Sequence, residues 1–377
     1  MMDTTNQTSP KPPPITRGIQ ESHHGGCVIL SPVSGRTKCR IIYLENYGGS
    51  KMWEKMKKGE IPGHHLRGCL ELVRMGYEVA LAEPLPDFYL RKKPFPHDLR
   101  LIKPVKEWLG KDGIVFCGHN VLYWLPFLRA LRLVNCRIVS HLFSREPLNW
   151  AKAHQGIIAL TPAAAEQAKK LAPNAKVAHL GWGCDLTAFP SLPYNPEAFF
   201  SCGIASRDHK TLSAAGARTK QPIEVICAGI SPDLKWSSNV RVVDGGKGWN
   251  FEDKKLGFQE LLHKHYGRSA GSLIIINNDP TQYLAIGFTE MLEVMAMARP
   301  VIMTRTGAMA TELDIEKTGW GLYVPPQDPA ALAEAINYLG SDLTRAEEMG
   351  KAGRRLAETH YNIERYARDL DAFFSTL

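Results

Sequence analysis

Long apolar runs are missing from this sequence. Nowhere do about 18 apolar residues follow one another, which excludes a membrane-spanning helix on hydropathy. Paired cysteines are missing too. Cys27, Cys39, Cys69, Cys117, Cys136, Cys184, Cys202 and Cys227 form no C-x-x-C, so zinc-ribbon and thioredoxin-type chemistry falls away. Buried thiols in a reducing cytosol are expected instead. There is no G-x-S-x-G, no phosphate-binding P-loop, and no histidine pair at zinc spacing on one helix. Asp369 and Asp371 spell a D-x-D, but in a helical stretch residues i and i+2 point apart, so metal binding through them is not expected. The first 35 residues are rich in Thr, Ser and Pro and lack an apolar segment. They read as a flexible tail rather than a secretory signal, and a cytoplasmic location is expected.

What is present is an ordinary globular composition, 44% hydrophobic and 22% charged, over 377 residues. At roughly 150 residues per domain that length predicts two domains. The formal charge of +8 is uneven. Residues 1–195 hold 26 Lys and Arg against 15 Asp and Glu, and the remainder holds 20 against 23. The first half is therefore expected to meet something anionic, whether membrane, nucleic acid or acidic glycan; a solvated basic face is the plain alternative.

Strand and helix signals alternate along the chain. Apolar runs at 40–45, 77–82, 114–117, 137–140, 157–160 and 176–180 are separated by helical stretches such as 64–75 and 163–171. Three prolines in Phe189–Pro196 break the pattern, which restarts at 223–227, 240–243, 273–276, 301–303 and 321–324, with helices at 259–265 and 289–298. Three helical stretches close the chain, at 329–339, 344–359 and 363–374. Strand, helix, strand at this spacing predicts α/β architecture: two doubly wound, Rossmann-like parallel-sheet domains facing a cleft. The expected boundaries are a tail at 1–35, a first domain at 36–190, a linker at 191–198, a second domain at 199–360, and a C-terminal helix at 361–377 packing back on the first domain. Ligands in such folds bind at the carboxyl ends of the strands, so the cleft is the expected site.

The most informative segment runs from Gly287 to Ile302. A helix is expected to start near Thr289, with Thr289 as its N-cap and free backbone N–H groups suited to a phosphate. Glu293 lies one turn on, among Met291, Leu292, Met295 and Ala296, where a carboxylate is costly unless it has a partner. A solvent-facing Glu on an amphipathic helix is the plain alternative.

Met291 to Ala296 (MLEVMA), Pro300 to Ile302 (PVI), Thr306-Gly307, Gly319 to Pro329 (GWGLYVPPQDP) and Ala331 to Ile336 resemble, in order and spacing, the retaining nucleotide-sugar glycosyltransferases of GT-B fold, family 4 (glycosyl transferases group 1). Weaker matches run through Pro62 to Val79, Gly118 to Asn120, His141, Leu180 to Asp185 with Phe189, and Cys202 to Leu212. The sequence departs from the family at two places. Ala285 stands where the first of two Glu is usual, and Ile204 stands where an Arg is usual.

The resemblance implies a sugar transferred with retention from a UDP- or GDP-linked donor, with no metal and no other cofactor. Donor contacts fall to Arg207, Lys210, Gly229, Gly287, Phe288, Thr289 and Glu293, the last toward the ribose. Gly63, His64 and His141 belong to the acceptor side, and His119, Glu293 and Arg207 are the expected catalytic set. The expected partners are the nucleotide-sugar donor and a glycan or lipid-linked acceptor, with nucleic acid not expected. The rival readings are a degenerate GT-B protein that binds without transfer, a nucleotide-sugar epimerase, and a nucleic-acid binder. Lys51, Lys55, Lys57 and Lys58 beside Met52, Trp53 and Met56, with Arg91 to Lys93 beside Phe95, mark an expected contact with an anionic inner membrane face; a solvated loop with Trp53 packed inward is the alternative.

Overall fold

The computed structural model describes residues 15–83, 96–119, 122–143, 150–203, 205–227, 233–244, 256–277 and 285–377. Two sheets organise the chain. The first holds β1 (Ile19–His24), β2 (Cys27–Pro32), β3 (Cys39–Leu44), β4 (Tyr77–Ala82), β5 (Ile114–Cys117), β6 (Arg137–Leu142), β7 (Gly156–Ala159) and β8 (Lys176–His179), in spatial order β1-β2-β4-β3-β5-β6-β7-β8. The second holds β9 (Ala198–Cys202), β10 (Ile223–Cys227), β11 (Val240–Asp244), β12 (Ser269–Ile274), β13 (Val301–Thr304) and β14 (Gly321–Val324), in order β11-β10-β9-β12-β13-β14. Central strands such as β5 and β13 are buried along their whole length, which is why they read as unbroken apolar runs rather than alternating ones.

The expected tail at 1–35 is corrected by the structure from residue 15 on; residues 1–14 lie outside the described residues. Residues 19–32 form an antiparallel pair, and β2 lays Val28, Ile29 and Leu30 antiparallel against β4. The cause is the apolar run Cys27 to Leu30, fully buried behind a turn at Gly25 and Gly26, both at positive φ. The first sheet is therefore parallel from β4 to β8 with an antiparallel margin.

Both strand orders place a crevice. In the first sheet the chain winds outward in opposite directions from β3, so the switch lies between β3 and β5. In the second it lies between β9 and β12. Ligands in doubly wound sheets bind beyond the carboxyl ends at such switch points. The segments leaving those ends are Glu45-Asn46 and Gly118-His119 in the first domain, and Gly203, Ala205–Arg207 and Ile275–Asn277 in the second.

Among the helices of the described residues, those that bear on the site are α1 (Gly49–Lys57), α2 (Cys69–Arg74), α3 (Trp124–Ala130), α4 (His209–Gly216), α5 (Phe288–Ala296) and α6 (Ile363–Phe374). Helix α6 returns the chain to the first domain. Its Tyr366 hydroxyl meets His141 Nε2 at 2.5 Å, and Tyr77 donates to its Asp371. Next to it, Cys184 and Asn362 bridge the two passages between domains, through Cys184 N–H to Tyr361 O and Ile363 N–H to Cys184 O.

Of the two readings of the lysine-rich helix α1, the structure shows the one with Trp53 packed inward. Trp53 is only 1% exposed, Met52 and Met56 are buried, and Trp53 Nε1 donates to Glu21 Oε2 at 2.8 Å. Lys57 pairs with Glu21 and Glu54. The apolar side of α1 is core, and Glu54 shares the water-facing side with Lys51 and Lys57. The second cluster, Arg91 to Phe95, lies outside the described residues.

The expected single helix over 64–75 is also divided. A short 3-10 turn, Gly63–Leu66, ends at Arg67 and Gly68, both left-handed, before α2 begins. A Cβ at Gly68 would lie 3.2 Å from Leu370 on α6, so the break is set by packing of α2 on α6.

Glu71 on α2 carries a pH prediction. Burial pushes its carboxyl up to about 7, with Asp185 and Glu364 adding and Arg74 opposing. A carboxyl raised from 4.5 costs stability as pH rises from there through 7, on the order of 3 kcal/mol. Urea unfolding of Glu71→Gln should therefore exceed wild type above pH 7 and converge with it below 4.5. Equal midpoints across that range would contradict the burial argument.

Candidate active site between the two sheets

Helix α5 carries two carboxylates three residues apart. Its start differs from expectation: the N-cap is Gly287 at φ 84, with no side-chain cap, so Thr289 lies inside the first turn and does not cap it. A left-handed cap leaves no space for a side chain. A Cβ at Gly287 would lie 2.9 Å from Ile274 Cγ2 and 3.2 Å from Met303 Cε. Gly287→Ala combines left-handed strain with overpacking and should lower unfolding free energy by about 2–4 kcal/mol in a urea titration. An unchanged midpoint would mean that the turn relaxes. Phe288 is buried in the core against Tyr361, so it offers a ligand only its backbone. Thr289 is half-buried.

Glu290 turns inward. Its Oε2 accepts from Arg207 Nη2 and its Oε1 accepts from Ser272 Oγ at 3.0 Å. Burial pushes its carboxyl up, against the opposing pull of Arg207 and Ser272. Arg207 is committed on every side: Nε donates to Cys202 O at 2.7 Å, Nη1 to Ala205 O at 3.2 Å, and its side chain is 6% exposed. The guanidinium lies beneath Gly203, where a Cβ would stand 2.1 Å from Nη2 at φ 100. The expected diphosphate cation is thus placed as the buried counter-ion of Glu290. Lys210 differs: it is exposed in the first turn of α4, whose N-cap Asp208 accepts from Thr211 N–H.

Glu293 turns toward the cleft. Its side chain is 15% exposed, Oε2 accepts from the Tyr266 hydroxyl at 3.0 Å, and Oε1 lies 3.7 Å from His64 Nε2 in the other domain. Tyr266 is fixed in turn by Cys202 Sγ at 3.2 Å. His64 is fully buried, and its Nδ1 accepts the Asp185 N–H at 3.3 Å. That bond sets the tautomer: the proton sits on Nε2, which finds no hydrogen-bond partner among the described residues and points at Glu293. His64, His65 and Glu293 offer ligand atoms within 4.8 Å of one another. A metal there would have to displace the proton that the Asp185 N–H holds on Nε2, so the donor set does not favour one. Gly63, also placed on the acceptor side by sequence, gives its N–H to Asp185 Oδ2 at 3.0 Å and is buried beside the crossover.

At the switch point of the first sheet stand Glu45, Arg67 and His119. His119 is half-buried and stacks on Phe143 at 5.2 Å between ring centroids, 10° from parallel. His141 is fully buried, and burial holds its imidazole neutral, helped by the charge of Arg67. It supports the site from behind through Tyr366 and does not line the opening. Arg67, at φ 48, donates from Nε to Glu45 Oε2 at 2.9 Å and lies between the rings of Phe143 and Trp182, 4.5 and 4.4 Å away. Among the described residues its Nη1 has no partner. Gly229 and Ile204 lie outside the described residues.

Sequence reasoning missed Glu45, Arg67, Tyr266 and Glu290. For Glu45 a signal existed, a carboxylate directly following the apolar strand Ile41–Leu44. For Arg67 and Tyr266 none did, because their partners are distant in sequence.

Comparison with known proteins agrees with this architecture. Residues 280–342 match the family model of glycosyl transferases group 1. No curated protein matches the sequence. Among solved structures, the sucrose-phosphate synthase of Thermosynechococcus elongatus is similar at TM-score 0.63 and 14% identity, covering 90% of this chain and 99% of that one. A glycosyltransferase from Rickettsia africae gives 0.61 and 14%, covering 91% and 99%. Anabaena HepE in complex with UDP-glucose gives 0.59 and 13%, covering 90% and 100%. The chain has the GT-B fold.

Proposed function

We propose that this GT-B chain, whose residues 280–342 match glycosyl transferases group 1, moves a sugar from a nucleotide-diphosphate donor to an acceptor with retention and without a metal. The observation that carries the reading is Glu293: a carboxylate at the mouth of the crevice, on the matched helix, held by Tyr266 and faced by a proton-bearing His64 from the other domain. The donor's ribose hydroxyls donate to Glu293. The diphosphate lies by the first turns of α4 and α5, where free N–H groups and the helix dipoles favour anions, with Lys210 as the exposed cation. These groups act most strongly as the leaving diphosphate gains charge. His119 and Arg67 face the transferred sugar and the acceptor, a glycan or lipid-linked hydroxyl. The leaving phosphate oxygen takes the acceptor proton on the same face of the sugar. A UDP-linked sugar is the first donor to try, since HepE is held with UDP-glucose.

Thermal shift with UDP, GDP and ADP sugars in turn tests this, because a ligand bound only by the folded state raises its stability by RT ln(1 + [L]/Kd). One donor class should raise the melting temperature. No shift with any of them would sink the reading. Retention is checked by NMR of the product's anomeric centre, and metal independence by turnover in EDTA.

A second reading has its own support. Ala285 replaces the first family Glu, and Arg207 is engaged by Glu290, so two groups expected on the transferred sugar and diphosphate are missing or occupied. A protein that binds a nucleotide sugar without transferring it fits those facts. Calorimetric binding without turnover on any acceptor would favour it.

A further inference from the structure

Large apolar side chains are exposed at few places among the described residues, and four of them lie on α3, in the turn that follows it, and at Trp150, which packs on α3. Trp124 is 38% exposed, Leu131 53%, Leu133 59% and Trp150 54%. Trp124, Phe127 and Trp150 form an aromatic row along α3, with Phe127 to Trp150 at 4.8 Å and Trp124 to Phe127 at 6.0 Å. Packing does not hide the outer rings. Two residues of the face, Arg132 at φ 59 and Trp150 at φ 51, sit in left-handed backbone that non-glycine residues rarely adopt. The face is also rigid: Asp98 accepts three backbone N–H bonds, from Tyr123, Trp124 and Leu125, and pins the start of α3.

Its charge is of one sign. Arg129, Arg132 and Lys152 share a surface depression with Trp150. No acidic residue occurs in the sequence between Asp112 and Glu146, and among the described residues none of these three cations is in an ion pair. Arg129 spends only its Nε, on Cys136 O. Exposed cations beside exposed Trp and Leu match one partner better than others. An acidic peptide or nucleic acid would use the cations and leave the leucines wet. A bilayer interface takes both: anionic headgroups at Arg and Lys, the headgroup boundary at Trp, and acyl chains at Leu.

We infer that this face, α3 with its C-terminal turn and Trp150, docks the protein on an anionic lipid surface. The inference stands on these residues alone and does not depend on the donor reading.

Sedimentation of the whole chain with vesicles tests it. Phosphatidylcholine mixed with phosphatidylglycerol should bind the protein and phosphatidylcholine alone should not, with binding falling as salt rises. Arg132→Gln with Lys152→Gln should weaken partitioning about 30-fold, two cations at ~1 kcal/mol each. Leu131→Ser with Leu133→Ser should also weaken it. Brominated acyl chains should quench tryptophan fluorescence, and the quenched fraction should fall in Trp150→Phe. All these sites are exposed, so the variants should keep the wild-type urea midpoint, which is measured alongside. No binding at low salt overturns the inference. So does binding that survives the charge variant, or binding that ignores the leucine variant, which would indicate electrostatic capture without insertion. Self-association in the ultracentrifuge that Trp150→Ser abolishes would assign the face to a second copy and overturn it as well.

Discussion

Arg207→Ala will unfold the second domain more readily before it slows any reaction. The guanidinium and Glu290 are both almost wholly enclosed, and the guanidinium also ties the Cys202 and Ala205 carbonyls. Removing one partner of a buried pair leaves the other charge without compensation and costs about 3–5 kcal/mol. The burial that already pushes the Glu290 carboxyl up would then act unopposed by Arg207. Urea unfolding is the measurement. Glu290→Gln should cost less, because the amide keeps a bond to Ser272, and the double variant Arg207→Met with Glu290→Met should cost less than the two single losses together. If Arg207→Ala keeps wild-type stability while donor affinity falls tenfold or more, the guanidinium serves the diphosphate and the pair with Glu290 is incidental.

Glu293→Ala has the opposite expected profile. The side chain reaches the cleft and its removal frees only the Tyr266 hydroxyl, so stability should change little. Donor affinity should fall by about 10- to 150-fold, the loss of a charged acceptor worth ~1.5–3 kcal/mol. Calorimetric titration with the donor identified by thermal shift gives the number. Tyr266→Phe leaves the carboxylate in place and removes one of its supports, so it should cost a smaller part of the same loss. Undiminished affinity in Glu293→Ala would remove the residue from the donor site.

These two glutamates mark how far the sequence could be read. Glu293 was legible because its helix sits in a motif of fixed order: MLEVMA, PVI, then the Gly-Pro-rich turn and the next helix. Glu290 stands in the same helix three residues earlier, and its partner Arg207 is 83 positions away. Nothing local distinguishes a carboxylate that faces the cleft from one that faces a buried arginine. The rotation of the helix decides, and packing of Phe288, Met291 and Leu292 into the core sets that rotation.

The amino-acid sequence by itself determined the α/β class, the two sheets, most strand positions and the helix that carries Glu293. Those features follow from short-range signals: apolar runs of strand length, glycine and proline stops, and one ordered motif. Tertiary structure alone decided the remainder. Trp53 became core because β1 and Glu21 close over α1, an edge pair the Thr-, Ser- and Pro-rich opening concealed. Arg207 became a counter-ion because Gly203 lets it lie under the loop toward α5. His64 acquired its tautomer from Asp185, 121 residues away. Each of these depends on groups brought together across long stretches of chain, where burial changes what a charge or ring can do, and no pattern of spacing records that distance.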